Sequence, residues 1–279
     1  MSNDSPTPLL RVLSLGAGVQ STTLALMAAH GEITPMPDCA IFADTQSEPE
    51  AVYEHLRWLV SPNVLPFPVH IVTAGSLYDQ IIGTPEGRNR NDGRPPMYIR
   101  NQDGSQGILK RQCTEDFKII PIEREIRRLL GLRKGQHWPK EPVVEQWLGI
   151  SLDEIIRCKP SRRPAIERRF PLIEKGMRRW DCFRWMEDRS YPRPPSSACV
   201  FCPFNSNPTW RAMRDEDGSD WSRAVTIDHA VRSRPYRGLV GEGYLHRSLV
   251  PLDQVDLRTG AERGQPDLFG NECEGMCGV

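Results

Sequence analysis

Four cysteines fall into two close pairs that suit metal binding. Cys199 and Cys202 form a CxxC, and Cys273 and Cys277 form a second pair near the C-terminus. Two thiolates at CxxC spacing can reach one metal ion from a tight turn. A redox CxxC of the thioredoxin type would instead open a helix after the first strand of a small domain, and this one does not. The two pairs therefore predict a cysteine-ligated metal site.

A turn of small residues between an apolar run and a helical pattern suits a bound anion. Small residues there let backbone N–H groups and the helix N-terminus surround a phosphate. It is neither a Walker motif nor a GxGxxG fingerprint, because no Gly-Lys-Ser/Thr follows and the glycine spacing differs. The alternative is an ordinary glycine turn entering a helix. The residues predicted to bind nucleotide in this turn are Ser14, Gly16, Ala17, Gly18, Gln20, Ser21 and Thr22.

The elements that must position these residues alternate between strands and helices. This alternation predicts an α/β fold, a Rossmann-like parallel sheet with helices on both faces. Segment 83–107 has no usable periodicity and is predicted to be a flexible active-site loop. Strands are predicted at 9–15, 39–42, 69–73 and 143–150, and helices at 21–29, 49–59, 208–214 and 221–232.

Two regions are predicted along the chain. Residues 1–157 form the nucleotide-binding α/β domain, and residues 158–279 form a loop-rich, cysteine-containing C-terminal region, helical and metal-binding, that packs on it. The latter begins with a basic stretch, 157–189, that holds eleven Lys or Arg against five Asp or Glu, with aromatic residues interleaved. Such a stretch suits a nucleic acid partner or the tail of a nucleotide. The equal alternative is an amphipathic helix with its aromatic residues in the core.

Composition limits the partners and the compartment. The 279 residues carry 36 basic and 36 acidic side chains, so the net charge alone does not indicate a polyanionic partner. No run approaches the roughly 20 apolar residues of a membrane span, and the N-terminus lacks the features of a signal peptide. We therefore expect a cytoplasmic protein without a membrane partner, in which eight cysteines are reduced rather than paired in disulfides.

The turn resembles the pyrophosphate loop of the PP-loop ATPases and PAPS (phosphoadenosine phosphosulfate) reductases. That loop has a Ser-Gly-Gly-x-Asp-Ser core, of which Gly18 and Ser21 match here, whereas Gly16, Ala17 and Gln20 replace Ser, Gly and Asp. The resemblance implies an adenine nucleotide as ligand, ATP or a relative with Mg²⁺, while the replacements leave ATP cleavage open. Asp44-Thr45 is similar to the family's Asp-Thr-Gly motif near the nucleotide, with Gln46 in place of Gly; the alternative is that Asp44 is a helix cap.

Two further motifs follow in the family's order. Cys113-x4-Lys118-x2-Pro121 looks like the family's Cys-x4-Lys-x2-Pro element, where basic side chains meet the anionic substrate. The segment 147–157, ending in Arg157, resembles the strand and turn that place an arginine on the phosphate or sulfate. The resemblance therefore implies catalytic roles for Asp44, Lys118 and Arg157.

The cysteines resemble those of the iron-sulfur APS (adenylylsulfate) reductases. There, a Cys-Cys pair at the Cys-x4-Lys element joins a later CxxC around a [4Fe-4S] cluster, and a C-terminal Glu-Cys supplies a nucleophile. This chain keeps Cys113 but has Thr114 at the second position. The resemblance implies Cys113, Cys199 and Cys202 as ligands, with Cys277 or Cys273 as the fourth, and it favours Cys273 as the catalytic thiol. A four-cysteine zinc site on the CxxC and the tail pair is the alternative.

The resemblance leaves three functions open. The first is an enzyme that uses ATP to activate a nucleobase or similar acceptor and inserts sulfur delivered through an iron-sulfur cluster. The second is a thiol-dependent PAPS or APS reductase, in which a tail cysteine attacks the sulfate sulfur. The third is a non-catalytic nucleotide-binding component with a structural zinc site. The first two imply a protein partner that donates sulfur or electrons.

Overall fold

A computed structural model describes residues 9–83, 94–216, 218–233, 241–259 and 261–264. The strands are β1 (Leu10–Leu15), β2 (Cys39–Asp44), β3 (Val69–Thr73), β4 (Tyr98–Asn101), β5 (Gln106–Ile108), β6 (Val144–Leu148), β7 (Ile166–Arg169) and β8 (Gly241–Tyr244). The α-helices are α1 (Val19–Ala29), α2 (Glu50–Leu59), α3 (Leu77–Gly83), α4 (Ile120–Leu129), α5 (Pro171–Glu174), α6 (Arg179–Glu187), α7 (Asn207–Glu216) and α8 (Gly218–Ser233).

The chain divides into two compact units, each assembled from separate segments. Their boundaries differ from the domain boundary at residue 157, which stays a prediction. The first unit contains the chain up to Ala43, Glu50–Val72 and Ile120–Ser196, and the second contains Asp44–Pro49, Thr73–Ile119 and the chain from Ser197 onward.

The first unit is built on a five-stranded sheet of order β3-β2-β1-β6-β7. Strand β1 pairs in parallel with β2 and with β6, and β6 pairs in parallel with β7. Successive side chains of β1 point to opposite faces: Leu13 packs with α1 and α6, and Val12 packs with Ile122 and Ile126 of α4. Because both faces are covered, most residues of the central strands β1, β2 and β6 are buried. The predicted α/β fold, a Rossmann-like sheet with helices on both faces, is confirmed.

The second unit packs helices and a small antiparallel sheet around its own core. The sheet has the order β5-β4-β8, and α3, α7 and α8 supply Ile81, Trp210 and Ile227 to the core. Strands β4 and β5 arise where the sequence predicted a loop without regular structure over 83–107, so that prediction is wrong for these strands. Residues 84–93 of that segment lie outside the described residues.

None of the described helices combines the length and the apolar character needed to cross a membrane.

Candidate functional site

The turn between β1 and α1 is closed by its own side chains. The backbone N–H of Gly16 donates to Ser21 Oγ at 3.1 Å, and the Ser21 hydroxyl donates to the carbonyl oxygen of Gly18 at 3.3 Å. Gly18 is the N-cap of α1, and no side chain caps it. Ala17 has a φ of 54°, in the left-handed region, and is fully buried. The turn thus presents a helix N-terminus whose first N–H groups no side-chain cap satisfies.

A second glycine lets β6 approach this turn. A Cβ atom built on Gly149 would lie 2.8 Å from both the Cα and the N atom of Ser21. Real Cβ atoms essentially never approach other heavy atoms so closely, and the atoms met here belong to the backbone rather than to a flexible side chain. At Gly16 the same construction meets Ser21 Oγ at 3.7 Å, an ordinary contact. Gly149 is therefore the glycine that the packing of the turn requires.

The side chain of Gln20 joins two arginines at the turn. Its Nε2 donates to Glu154 Oε2 at 2.9 Å, and its Oε1 accepts from Arg179 Nη1 at 3.2 Å. Glu154 also forms a salt bridge with Arg157. Two guanidinium groups are thus held near the start of α1, one of them on the residue predicted to meet the anion. Sequence reasoning missed Arg179 as a partner of Gln20, because the two residues lie 159 positions apart in the chain.

Asp44 lies at the end of β2 and shapes the following turn. Its Oδ1 accepts from the backbone N–H of Gln46 at 2.7 Å. Gln46 has a φ of 54°, and its carbonyl oxygen accepts from Arg223 Nη2 at 3.1 Å. Asp44 therefore acts as a local cap of the turn, and its predicted catalytic and nucleotide-binding roles stay predictions.

The second unit contains a pocket that brings together three of the predicted metal ligands, Cys113, Cys199 and Cys202. It encloses about 420 Å³ of space, part of it open to solvent. Lys118, predicted to be catalytic, lines the same pocket together with Arg111, so the thiols have cationic neighbours. The lining residues are Thr45, Leu77, Pro95, Pro96, Arg111, Cys113, Thr114, Lys118, Cys199, Phe201, Cys202 and Pro203.

Backbone hydrogen bonds fix the CxxC within the second unit. The N–H of Cys202 donates to the carbonyl oxygen of Cys199 at 2.9 Å, which closes the tight turn. Within that turn, the N–H of Val200 donates to the carbonyl oxygen of Ser47, also at 2.9 Å. The third cysteine is held separately, because the N–H of Cys113 donates to the carbonyl oxygen of Arg94 at 3.2 Å. Four chain segments, at Ser47, Arg94, Cys113 and the CxxC, are therefore held together around the thiols.

A buried carboxylate lies behind the pocket. Glu48 is 2% exposed, and its Oε1 lies 3.2 Å from Lys118 Nζ and 3.9 Å from Cys199 Sγ. Thr45 Oγ1 lies 3.3 Å from the same oxygen, while Glu48 Oε2 has no hydrogen-bond partner among the described residues. Burial raises the pKa of Cys199 well above its usual value, and the negative charge of Glu48 adds to the rise. Lys118 is the cation that compensates this group.

Removing the compensating cation is expected to destabilise the protein. Lys118→Met leaves the Glu48 carboxylate buried without its salt bridge, and we expect a loss of about 3 kcal/mol in the free energy of unfolding. The double variant Lys118→Met/Glu48→Gln removes the charge as well and should recover most of that loss. Urea unfolding of the two variants and the parent measures both effects. Equal stability of Lys118→Met and the parent would contradict this assignment.

The thiols of the pocket are donor groups of a type that binds metals. Thiolates are the donors of iron-sulfur clusters and of structural zinc sites. Within the described part of the chain, no group of three or more His, Cys, Asp or Glu residues has the arrangement of a metal site. The tail residues Cys273 and Cys277, predicted as the catalytic thiol and the fourth ligand, lie outside the described residues. The pocket therefore offers three donors of the right type for a site that uses four.

Two solved structures share a weak likeness with the chain. No protein-family model matches it, and no curated protein sequence matches it. A PAPS reductase from Candida auris in complex with phosphate is 13% identical, with 67% of this chain and 76% of that chain covered and a TM-score of 0.43. The U34-tRNA thiolase NcsA from Methanococcus maripaludis with its [4Fe-4S] cluster is 12% identical, with coverages of 84% and 76% and a TM-score of 0.34. Likenesses with TM-scores under 0.5 support no assignment of function.

Proposed function

We propose that the protein is a nucleotide-binding enzyme of sulfur chemistry, similar to the PAPS reductases and the PP-loop enzymes. In this proposal an adenine nucleotide, ATP or a relative, binds at the turn before α1, and a [4Fe-4S] cluster is bound by the cysteine pocket. The reaction is sulfur transfer to a nucleobase or a similar acceptor. The observation that supports it most is the presence of Cys113, Cys199 and Cys202 around one pocket.

The three cysteines come from two segments that are far apart in the sequence, and the fold brings them to one pocket. Cys113 is 86 residues before Cys199 in the chain, since 199 minus 113 is 86. In the proposal these thiolates hold three irons of the cluster, and the tail supplies the fourth thiolate through Cys277 or Cys273. When bound, the cluster would supply an iron site for the delivery of sulfur.

The nucleotide site of the proposal rests on the uncapped start of α1. Partial positive charge at a helix N-terminus attracts phosphate, and Arg157 and Arg179 add two positive charges, one of which is offset by the Glu154 carboxylate. Gln20 and Glu154 hold these guanidinium groups, so Gln20 acts on the phosphates through Arg179 rather than by direct contact.

A thiol-dependent PAPS or APS reductase is the second candidate. Lys118 and Arg111 line the pocket of the thiols, and two cations beside thiols suit a sulfate group that a cysteine attacks. In this candidate the attacking thiol is Cys273, and an electron donor protein regenerates it.

Metal analysis after anaerobic purification tests the proposed function. We expect a brown protein that contains iron and acid-labile sulfide, and that binds ATP or PAPS with its cluster intact. Both iron and zinc are supplied during expression, so that the metal found reflects the preference of the site. Stoichiometric zinc without sulfide would contradict the proposed [4Fe-4S] cluster. The remaining function would then be a nucleotide-binding component with a structural zinc site. Product analysis with ATP and with PAPS then separates sulfur transfer from reduction.

A further inference from the structure

Helix α4 and two neighbouring segments of the first unit carry a large excess of basic side chains. The α4 basic face is defined as residues 120–142 and 158–168. Its sequence contains ten Lys or Arg residues against four Glu and no Asp, so ten minus four leaves a net charge of +6. The whole chain has a net charge of zero. Positive charge is therefore concentrated in a small part of the molecule.

Side-chain contacts join the two segments into one surface. Arg163 Nε of the second segment lies 2.9 Å from Glu123 Oε2 of α4. The guanidinium groups of Arg127 and Arg163 lie 5.2 and 6.0 Å from the ring centre of Trp138, which is half-buried. One arginine from each segment thus packs beside the same indole ring, and the two segments form a continuous face.

The loop after α4 is held in shape by backbone hydrogen bonds. Arg127 Nη2 donates to the carbonyl oxygens of Arg133 and Gln136 at 3.1 and 2.7 Å. The N–H of Arg133 donates to Gln136 Oε1 at 3.0 Å. These bonds fix the backbone that carries the exposed side chains of Arg133 and Lys134. A loop that is already ordered loses less entropy when a ligand binds to it.

The acidic side chains of this region do not cancel its charge. Glu123 and Glu125 pair with arginines of the same face at 2.9 and 2.7 Å, and Glu141 and Glu167 are exposed. All four are already included in the net charge of +6. Asp38 lies beside the face at the start of β2, and counting it as well leaves +5.

Several basic side chains of the face are open to a ligand. Within the described part of the chain, five exposed side chains of this face have no salt bridge: Arg124, Arg133, Lys134, Lys140 and Lys159. The charge that the face offers to a ligand is therefore positive after every ion pair has been counted.

Two other kinds of anionic partner fit this face less well. A membrane-binding basic surface also inserts apolar side chains among the lipid headgroups. None of the large apolar side chains that are exposed in the described chain lies in the two segments of the face. A protein interface has an apolar and aromatic centre that is depleted in charged residues. The exposed side chains of this face are mainly charged instead.

We propose that the α4 basic face binds a nucleic acid through its phosphate backbone. Lysine and arginine neutralise phosphates and release bound counterions, a contribution that does not depend on base sequence. Neither segment contains an exposed Trp, Tyr or Phe on which a base could stack, so the contact needs no unpaired bases. The inference rests on the proposed function in one respect, since the nucleobase that accepts sulfur would then be part of a nucleic acid chain.

Binding of labelled nucleic acid at several salt concentrations tests the phosphate contacts. A DNA duplex and an RNA hairpin, each of about 20 base pairs, are titrated with the full protein. The triple variant Arg133→Gln/Lys134→Gln/Lys140→Gln removes three positive charges from the face. We expect its affinity for the duplex to fall on the order of 100-fold at about 0.1 M salt. The slope of log affinity against log salt should become shallower by about 2.7.

The matched control is the triple variant Lys175→Gln/Arg184→Gln/Arg193→Gln. It removes the same charge from exposed residues of the first unit that lie outside the α4 basic face. The control should keep nearly the affinity and the salt slope of the parent. Thermal unfolding shows that both triple variants are folded. Equal losses of affinity in the two triple variants, or an unchanged salt slope in the first, would overturn the proposal.

Vesicles that contain phosphatidylserine test the membrane alternative. We expect no binding to them at a salt concentration at which the parent binds the duplex. Binding to the vesicles that the first triple variant loses, without binding to either nucleic acid, would overturn the proposal in favour of a membrane surface.

The same samples separate this inference from the proposed function. Iron and sulfide are measured in the parent and in both triple variants, and all three should contain the same amounts. Nucleic acid binding by a protein without iron would contradict the proposed cluster and support the α4 basic face. A protein with its cluster but without affinity for nucleic acid would overturn the α4 basic face alone and leave a small acceptor for the sulfur.

Discussion

Cys199→Ser is expected to remove the metal from the purified protein and to lower its melting temperature. A serine hydroxyl does not ionise near neutral pH and cannot replace a thiolate ligand. Because ligand binding at such sites contributes directly to folding, the loss of metal appears as a loss of stability. Iron, sulfide and zinc analysis together with thermal unfolding measures both effects. Cys113→Ser and Cys202→Ser should give the same result.

Cys158→Ser is the matched control for this experiment. Cys158 is half-buried and is not among the residues that line the cysteine pocket. The control variant should keep its metal and its melting temperature. Chelator-treated parent protein separates the metal from the packing of the thiol, since it should melt close to Cys199→Ser. If Cys199→Ser purifies with as much metal as Cys158→Ser, the pocket is not the metal site.

The first half of the sheet was predictable from local sequence. The apolar run of β1, the small residues after it and the helical pattern of α1 are signals within 20 consecutive residues, since Leu10 to Ala29 spans 20 positions. β3 has the predicted bounds Val69–Thr73, because Pro68 precedes it and Gly75 follows it closely. α4 was missed although Ile122 and Ile126 recur at helical spacing and both are buried. β7 carries only four residues, IERR, and pairs at the sheet edge, where no apolar pattern marks it.

The residues of the candidate site were predictable from the sequence, but the tertiary contacts among them were not. Motif resemblance selected Cys113, Lys118 and the CxxC, and the structure brings all of them to one pocket. The salt bridge between Lys118 and Glu48 joins segments 70 positions apart, since 118 minus 48 is 70. A sequence pattern reports local periodicity and has no signal for such a tertiary pair. The same limit explains why Arg179 was missed as the partner of Gln20.

Gly149→Ala is expected to weaken nucleotide binding at the turn before α1 strongly. The added methyl group would lie 2.8 Å from Ser21 Cα and N, so either β6 or the start of α1 must move. Overpacking of this kind costs about 1–3 kcal/mol of stability. Displacement of the first turn of α1 moves the N–H groups proposed to bind phosphate, and a misplacement near 1 Å can cost on the order of 100-fold. Equilibrium binding of ATP and of PAPS, with thermal unfolding in parallel, measures both effects.

Gly16→Ala separates this steric effect from a general need for glycine. Its methyl group would meet Ser21 Oγ at 3.7 Å, which is ordinary contact, and the φ of Gly16 is not in the left-handed region. We therefore expect Gly16→Ala to fold as the parent does and to bind nucleotide within a few-fold of its affinity. The pair of variants also tests the site itself, because both glycines adjoin Ser21 while only Gly149 forces the backbone there to move. If a folded Gly149→Ala binds nucleotide as tightly as Gly16→Ala does, the phosphates do not bind at this turn, and Arg157 and Arg179 lose their proposed role with it.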